Sequence, residues 1–470
     1  MRIILFILLI VSTVHAQTRD GKIEFVSSDT VLVNGFKWAK MQALSYVHRG
    51  NDAVGHWYEA ALPNRQAFCM RDVSHQSIGA SVLGLSDINK NLLTHFVKSI
   101  SESKQWCGYW EIDKYDRPAP VDYKSDADFW YNLPANFDLM NAIFRQYLWT
   151  GDAIYLNDLS FKEFFARSCA DYVNAWDFNK DGIMEGTKGK IHYRGIGSYN
   201  EDKFGETGND LVAAQIIGYR SYQKILALTG DRKGSNLYSA KAEKIERYLN
   251  ETWWDKKEQV YRQGLQQNGE WVRNDPYQLF LLRWDCVPQN KLLPVLSSLH
   301  QAEGSMNVEM LSYLPLESFR HGDPSIGVNL LKRLTSPSLN RREYPEVSFA
   351  ALEAYVVGLM GLIPDASSKS ITTFNRLNKQ VSFARLNHVP VFDGEIDVEH
   401  SGVDKTTFVN NTKSIIHWKA CFYSVKNVIR INGKRIKEQR GLDLKGESFL
   451  YAQVNIHPGK TVTIETDEGR

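Results

Sequence analysis

The sequence predicts a mainly helical chain of paired helices that ends in a small β-sandwich-like module. Three observations carry this expectation. Apolar residues recur at helical spacing through about ten segments before residue 362. Short connections alternate with long loops rich in Trp, Tyr, Asp, Asn and Gly, the pattern of successive helical hairpins. Near Pro364-Asp365-Ala366-Ser367-Ser368 the texture changes to short alternating runs, and eleven of the twelve Trp lie before that point.

Taken in order, the first 16 residues read as an export signal. Arg2 supplies the positive end, an apolar run follows, and Val14-His15-Ala16 offers a cleavage site ahead of Gln17. The run is shorter than the roughly 20 residues of a membrane span, and no later stretch is long and apolar enough to make one. Residues 17–36 are expected to form a short β segment, with strands at 22–25 and 31–33. The helical region, 37–365, is expected to hold helices at 37–48, 76–102, 135–150, 159–175, 208–229, 235–252, 275–284, 289–301, 324–334 and 347–362. Leu211, Ile216, Tyr219, Tyr222 and Leu226 mark one buried stripe; Phe349, Leu352, Val356 and Leu359 mark another. Residues 370–470 supply the β module, with runs at 381–386, 395–399, 428–431, 449–456 and 461–466. Asn432-Gly433 is a strong hairpin signal, because both positions tolerate a left-handed backbone.

The chain of 470 residues is 43% hydrophobic and 23% charged, which excludes wholesale disorder, collagen and coiled coil. Lys and Arg exceed Asp and Glu by 56 to 54, so no basic footprint marks a nucleic-acid partner. Aromatic residues make up 12% of the chain, a stock that suits stacking against the C–H face of a sugar as well as core packing. Cys69, Cys107, Cys169, Cys286 and Cys421 are too scattered for a disulfide framework or a zinc ribbon, although export permits a Cys69–Cys107 bridge. Phosphate-loop, dinucleotide, nucleophile-elbow and metalloprotease motifs are absent.

Four segments carry chemistry. In Arg71-Asp72-Val73-Ser74-His75-Gln76, ahead of a helix, the guanidinium donates and the carboxylate accepts, a pair that grips vicinal hydroxyls; it also serves as an ordinary helix-entry ion pair. Asp177 to Glu185 opens like a calcium loop, D-x-N-x-D-G. Its twelfth position is Lys188 where a bidentate Glu is needed, so an irregular cation site and a plain Asx turn both remain. Ser198 to Asp210 places Tyr199, Glu201, Asp202 and Glu206 before a strong helix; Asn209 or Asp210 caps it, leaving Glu201 or Asp202 to face a cavity or solvent. In Glu343-Tyr344-Pro345-Glu346, Glu346 sits in a first helical turn, where a carboxylate is also electrostatically favoured. Trp57, Trp106, Trp110, Trp130 and Tyr131 are candidates for an aromatic sugar platform, or for the core.

An early Arg-Asp, a D-x-N-x-D-G-I-x-E turn and acidic loop midway, and a Glu before the last helix together resemble the six-hairpin, (α/α)6-barrel glycosidases. That broad group includes glucoamylases, GH78-type rhamnosidases, GH63-type α-glucosidases and the GH116 type. The resemblance covers about residues 37–365 and implies an (α/α)6 toroid followed by the β-sandwich domain. It implies that Arg71 and Asp72 hold the sugar at the cleavage subsite, with Trp57, Trp130, Tyr131 and Tyr199 as further substrate contacts. It implies that Glu201 or Asp202, with Glu185 in reserve, protonates the leaving oxygen, while Glu346 or Glu343 activates water. The expected protein is an exported, periplasmic or extracellular glycoside hydrolase, exo-acting and inverting, with a carbohydrate substrate. It needs no metal or organic cofactor, because two carboxyls supply both proton transfers. The glucoamylase acid motif and the fuller rhamnosidase motif are missing. Two other classes compete: a polysaccharide lyase working through His56, His75, His192, Tyr193 or Tyr199, and a non-catalytic glycan binder.

Overall fold

The computed structural model describes residues 20–62, 64–186, 207–266, 268–272, 278–423 and 428–467. The expected export signal lies outside the described residues.

Helices alternate between an outer and an inner layer. The outer α1 (Thr30–Ser45) leads to the inner α2 (Met70–Val82), and α3 (Ser86–Lys98) leads to α4 (Ala135–Thr150). Three shorter pieces follow, α5 (Ile154–Asn157), α6 (Leu159–Cys169) and α7 (Asp171–Trp176), before the inner α8 (Asn209–Leu228). Then come α9 (Arg232–Thr252) with α10 (Leu279–Arg283), α11 (Gln289–Ala302) with α12 (Val308–His321), and α13 (Pro324–Leu334) with α14 (Pro345–Glu353). A π-helical stretch, Ala354–Leu359, continues α14. Around the centre, α2, α4, α8, α10, α12 and α14 touch in that order, and α14 returns to α2. This closed ring of six, wrapped by the outer helices, is the (α/α)6 toroid.

Burial follows the layering. Every residue of α14 is buried. On α9 the buried residues are Ser235, Ala242, Ile245 and Leu249, a single stripe. A helix apolar all round sits between layers, and a one-sided helix faces solvent. The inner helices run in one direction, so their N-termini gather at one rim. Five of them carry an acid in the first turn: Asp72, Asp138, Asp210, Glu309 and Glu346. The positive end of each helix favours that placement. Gly79 sets the approach of α2 to α14, since a Cβ there would stand 2.2 Å from the Phe349 carbonyl oxygen.

The β module is a two-layer sandwich. One sheet has seven strands and the other five. Their inner faces meet where Phe408 packs on Trp418, ring centroids 5.2 Å apart. Asn432 and Gly433 both have positive φ, 48° and 78°, and join Val428–Ile431 to Lys434–Ile436 as the sequence suggests. Ile363–Asp365 already belongs to the five-stranded sheet.

The structure corrects several expectations. Segment 31–33 is helical, because Asp29 accepts hydrogen bonds from Val31 N (3.0 Å) and Leu32 N (3.2 Å) and starts α1 there. The strand near the N-terminus is Glu24–Ser27. It joins the seven-stranded sheet, antiparallel to Phe383–Val391. The helix expected at 76–102 begins at Met70 and breaks after Val82, where Gly84 adopts φ +84°. Helix α12, with Pro315 inside it, has no counterpart among the expected helices. All five cysteines are buried free thiols, so no Cys69–Cys107 bridge forms.

Candidate active site

The N-terminal turns of α2, α10, α12 and α14 line a cavity of about 500 Å³. Helix α2 delivers Arg71, Asp72 and His75; α12 delivers Glu309, Met310 and Tyr313; α14 delivers Glu346. The antiparallel strands Ala67–Cys69 and Glu111–Asp113 form a wall and place Glu111 opposite Cys69, just ahead of Arg71. Trp110 and Trp130 give the cavity aromatic surface, with the Arg71 guanidinium 5.4 Å from the Trp110 ring centre.

At the floor, Arg71 Nε donates to Asp72 Oδ1 at 3.2 Å. The Asp72 and Glu346 carboxyls are close enough to interact through a hydrogen bond. Burial pushes Glu346 up to about 8, the Asp72 charge adds to this, and Arg71 offsets part of it. Asp72 is pushed up by burial to about 6, held down by its own Arg71 and by the Glu346 hydrogen bond. Two carboxyls this close cannot both ionise freely, so the pair shares a proton. Tyr313 Oη donates to Glu346 Oε1 at 2.7 Å, and His75 Nδ1 lies 2.7 Å from Tyr313 Oη. On its other side, His75 Nε2 meets Asp138 Oδ2, both side chains buried.

A second acidic group stands beside it. Arg65 contacts Glu111 at 2.9 Å and Asp122 at 3.0 Å. Burial, with Asp122 next to it, pushes Glu111 up to about 8. Arg341, at the rim, stacks on Tyr344 with its guanidinium 4.2 Å from the ring centre and faces Glu309 at 3.9 Å.

Of the residues singled out in the sequence, Arg71, Asp72, Trp110, Trp130 and Glu346 line the cavity. Glu343 is exposed and outside the lining; its backbone carbonyl accepts the Tyr46 hydroxyl. Trp57 belongs to the core instead of a sugar platform: it is 0% exposed, stacks on His48, and donates to Asp52 at 2.7 Å. Tyr131 is likewise buried, packed between Phe129 and Trp176. Trp106 is covered by Arg167, 4.6 Å from its ring centre, and is not among the cavity residues. Tyr199, Glu201 and Asp202 lie outside the described residues.

Among the described residues, Asp177, Asp181 and Glu185 bring carboxylate oxygens within 4.8 Å of one another. Those oxygens are engaged by the chain itself. Asp177 accepts from Asp181 N and Gly182 N, Asp181 from Ile183 N, and Glu185 from Phe178 N at 2.6 Å. Glu185 thus closes a turn. Sequence reasoning missed Arg65, Glu111, Asp122, Glu309 and Tyr313. Asn307, which caps α12 by accepting from Met310 N, is the signal that marks that helix.

No protein-family model matches the sequence, and a search of curated proteins finds none similar. The fold has clear relatives among solved structures. An α-L-rhamnosidase from Dictyoglumus thermophilum aligns over 96% of this chain and 51% of its own, with TM-score 0.63 and 13% identity. A GH78 family rhamnosidase of Bacillus SP. GL1 aligns over 82% and 40%, with TM-score 0.58 and 11% identity. A kojibiose phosphorylase, described as putative, from the human microbiome aligns over 93% and 63%, with TM-score 0.59 and 11% identity. The fold is therefore that of the (α/α)6-barrel glycosidases with their β-domains. The chain spans about half the length of the rhamnosidases it matches.

Proposed function

We propose that the protein is a glycoside hydrolase that removes a terminal neutral sugar with inversion. One observation carries the reading: Arg71, Asp72 and Glu346, remote in sequence, meet under Trp110 and Trp130 at the floor of one sugar-sized cavity. Arg71 with Asp72 would grip adjacent hydroxyls, and the indoles would take the apolar face of the ring. The lining holds five carboxyls against three guanidiniums, and Arg65, Arg71 and Arg341 each already face an acid. That balance favours a hydroxyl-rich neutral ring over a uronate. Glu346 is the general base toward water. The acid is Glu201 or Asp202, as the resemblance implies, or Glu111, whose raised affinity for its proton suits a donor at neutral pH. Asp72 is too close to Glu346 to be its partner across a sugar, which requires roughly 6.5–9.5 Å. Burial and the neighbouring Glu346 hold the Tyr313 hydroxyl well above the ordinary range, so Tyr313 does not suit the base of a lyase. Export through the first 16 residues is part of this reading; mass spectrometry of secreted material should find Gln17 at the N-terminus.

The test is a panel of aryl glycosides of neutral sugars and uronates, with the anomer of the first product read by NMR. Hydrolysis with inversion is expected, lost in Glu346→Gln. A base must be ionised to act, so kcat/KM should rise with pH through a limb near 8 set by Glu346. A limb that falls there would make Glu346 the acid. An unsaturated product absorbing in the ultraviolet would overturn the hydrolase reading.

A further inference from the structure

Glu346 is an awkward base as it stands, because Asp72 competes for the same proton. What lies behind it resolves the difficulty. Tyr313 touches Glu346 on one side and His75 on the other, each at 2.7 Å, and His75 ends against Asp138. Tyr313 has one hydroxyl proton and so can donate in only one direction at a time. When it donates to Glu346, its oxygen accepts from His75 Nδ1–H, and Glu346 is ionised. When it donates to His75 Nδ1, its oxygen accepts from a protonated Glu346. The two arrangements use the same heavy atoms in the same places and differ by two protons, each shifted along one hydrogen bond.

We propose that Asp138, His75 and Tyr313 form a proton relay behind Glu346. Glu346 takes a proton from the attacking water. Its O–H bond then breaks as a new one forms at Tyr313 Oη, and the original Tyr313 O–H bond breaks as an N–H bond forms at His75 Nδ1. The result is Glu346 carboxylate, an intact Tyr313 hydroxyl and a His75 imidazolium, whose charge Asp138 balances. No electrons change hands, and tyrosinate is never formed as a free species. This rests on the base role of Glu346 proposed above. The three residues do not touch the reacting water, so they are positioning residues that set how readily Glu346 loses its proton.

The charged surroundings are defined. Arg71, Asp72 and His75 face Glu346 from α2, Glu309 and Tyr313 from α12, and Asp138 reaches the chain from α4. Arg283 of α10 lies over the Tyr313 ring, 4.6 Å from its centre. Asp72 shares a proton with Glu346 directly; Tyr313 links Glu346 to a site further off, His75, which Asp138 backs.

Tyr313→Phe removes the link and little volume, and Asp138→Asn weakens the far end. Two readouts are needed, with thermal melts alongside. The first is the pH profile of kcat/KM on the best aryl glycoside. The ascending limb should move up by about one pH unit in Tyr313→Phe and by less in Asp138→Asn, with activity recovering at high pH. The second is infrared difference spectroscopy through a pH titration, with the protonated carboxyl band of Glu346 identified by its loss in Glu346→Gln. Its midpoint should rise in the same order. If Tyr313→Phe fails to fold, Asp138→Asn carries the test. An unmoved limb and midpoint in a folded variant overturn the relay, however far kcat falls. A midpoint that moves in a protein cleaving no glycoside sustains the relay and overturns only the hydrolase reading.

Discussion

Helix α12 carries two buried charge clusters four residues apart, and they are built on opposite rules. At Tyr313 it meets Glu346 and Asp72, acids crowded together beside Arg71. At Glu317 the carboxylate is matched by a guanidinium and an imidazole. Arg320 donates to Glu317 at 2.8 Å and to both oxygens of Asp285, and His321 approaches Glu317 at 3.3 Å. Burial raises the affinity of Glu317 for protons, but Arg320 and then His321 overcome it and hold the carboxyl at about 2. Glu346, equally buried, goes to about 8. A carboxylate matched by cations is a strut; one matched by another carboxyl is ready to exchange a proton. The same helix holds the frame with one turn and the chemistry with another.

The largest effect expected is at the mismatched end. Glu346→Gln should lower kcat by roughly 10³-fold on any cleaved glycoside. At the matched end, Glu317→Gln leaves Arg320 and His321 without their buried anion. It should cost roughly 3 kcal/mol of stability in urea titrations, while kcat per folded molecule stays near that of the unaltered protein. Their pH signatures have opposite signs. Glu346 has a folded pKa above its unfolded one, so its contribution is present at low pH and is lost as pH rises toward 8. Glu346→Gln should therefore melt higher than the parent at pH 8 and lose that advantage near pH 5. Glu317 has a folded pKa below its unfolded one, so its contribution is present above about 4 and disappears as pH falls toward 2. The Glu317→Gln deficit should shrink as the solution is acidified toward that range.

Smaller effects separate the tryptophans. Trp130→Ala should raise KM by about tenfold, the worth of one stacking contact. Trp57→Phe should lower the melting temperature and leave KM unchanged. Equal effects of the two on KM would mean that Trp57 also contacts the substrate.

Much of this contrast was open to reading from the chain alone. Arg71, Asp72 and Glu346 stood out because an acid at a helix start carries a recognisable local pattern. The paired helices stood out because the outer ones are amphipathic. Helix α12 did not, because a helix buried on every side loses its polar stripe and Pro315 interrupts the rest. With it went Tyr313 and Glu309. Glu111 and Asp122 sit in a short strand and a loop, where no period exists to be read. Trp57 and Trp130 look alike in sequence. Only three-dimensional packing tells a ring with Asp52 on its nitrogen from one facing an open cavity.

The strand Glu24–Ser27 has a consequence for how the molecule is made. It bonds to Phe383, 356 residues further along the chain. The toroid lies between this segment and its neighbour in the chain, so the pairing forms only when both ends come together. Closing so long a loop is slow, because entropy must be surrendered before the contact forms. Until then, the Phe383–Val391 edge is open to pairing with another strand, so association during refolding at high protein concentration is expected there.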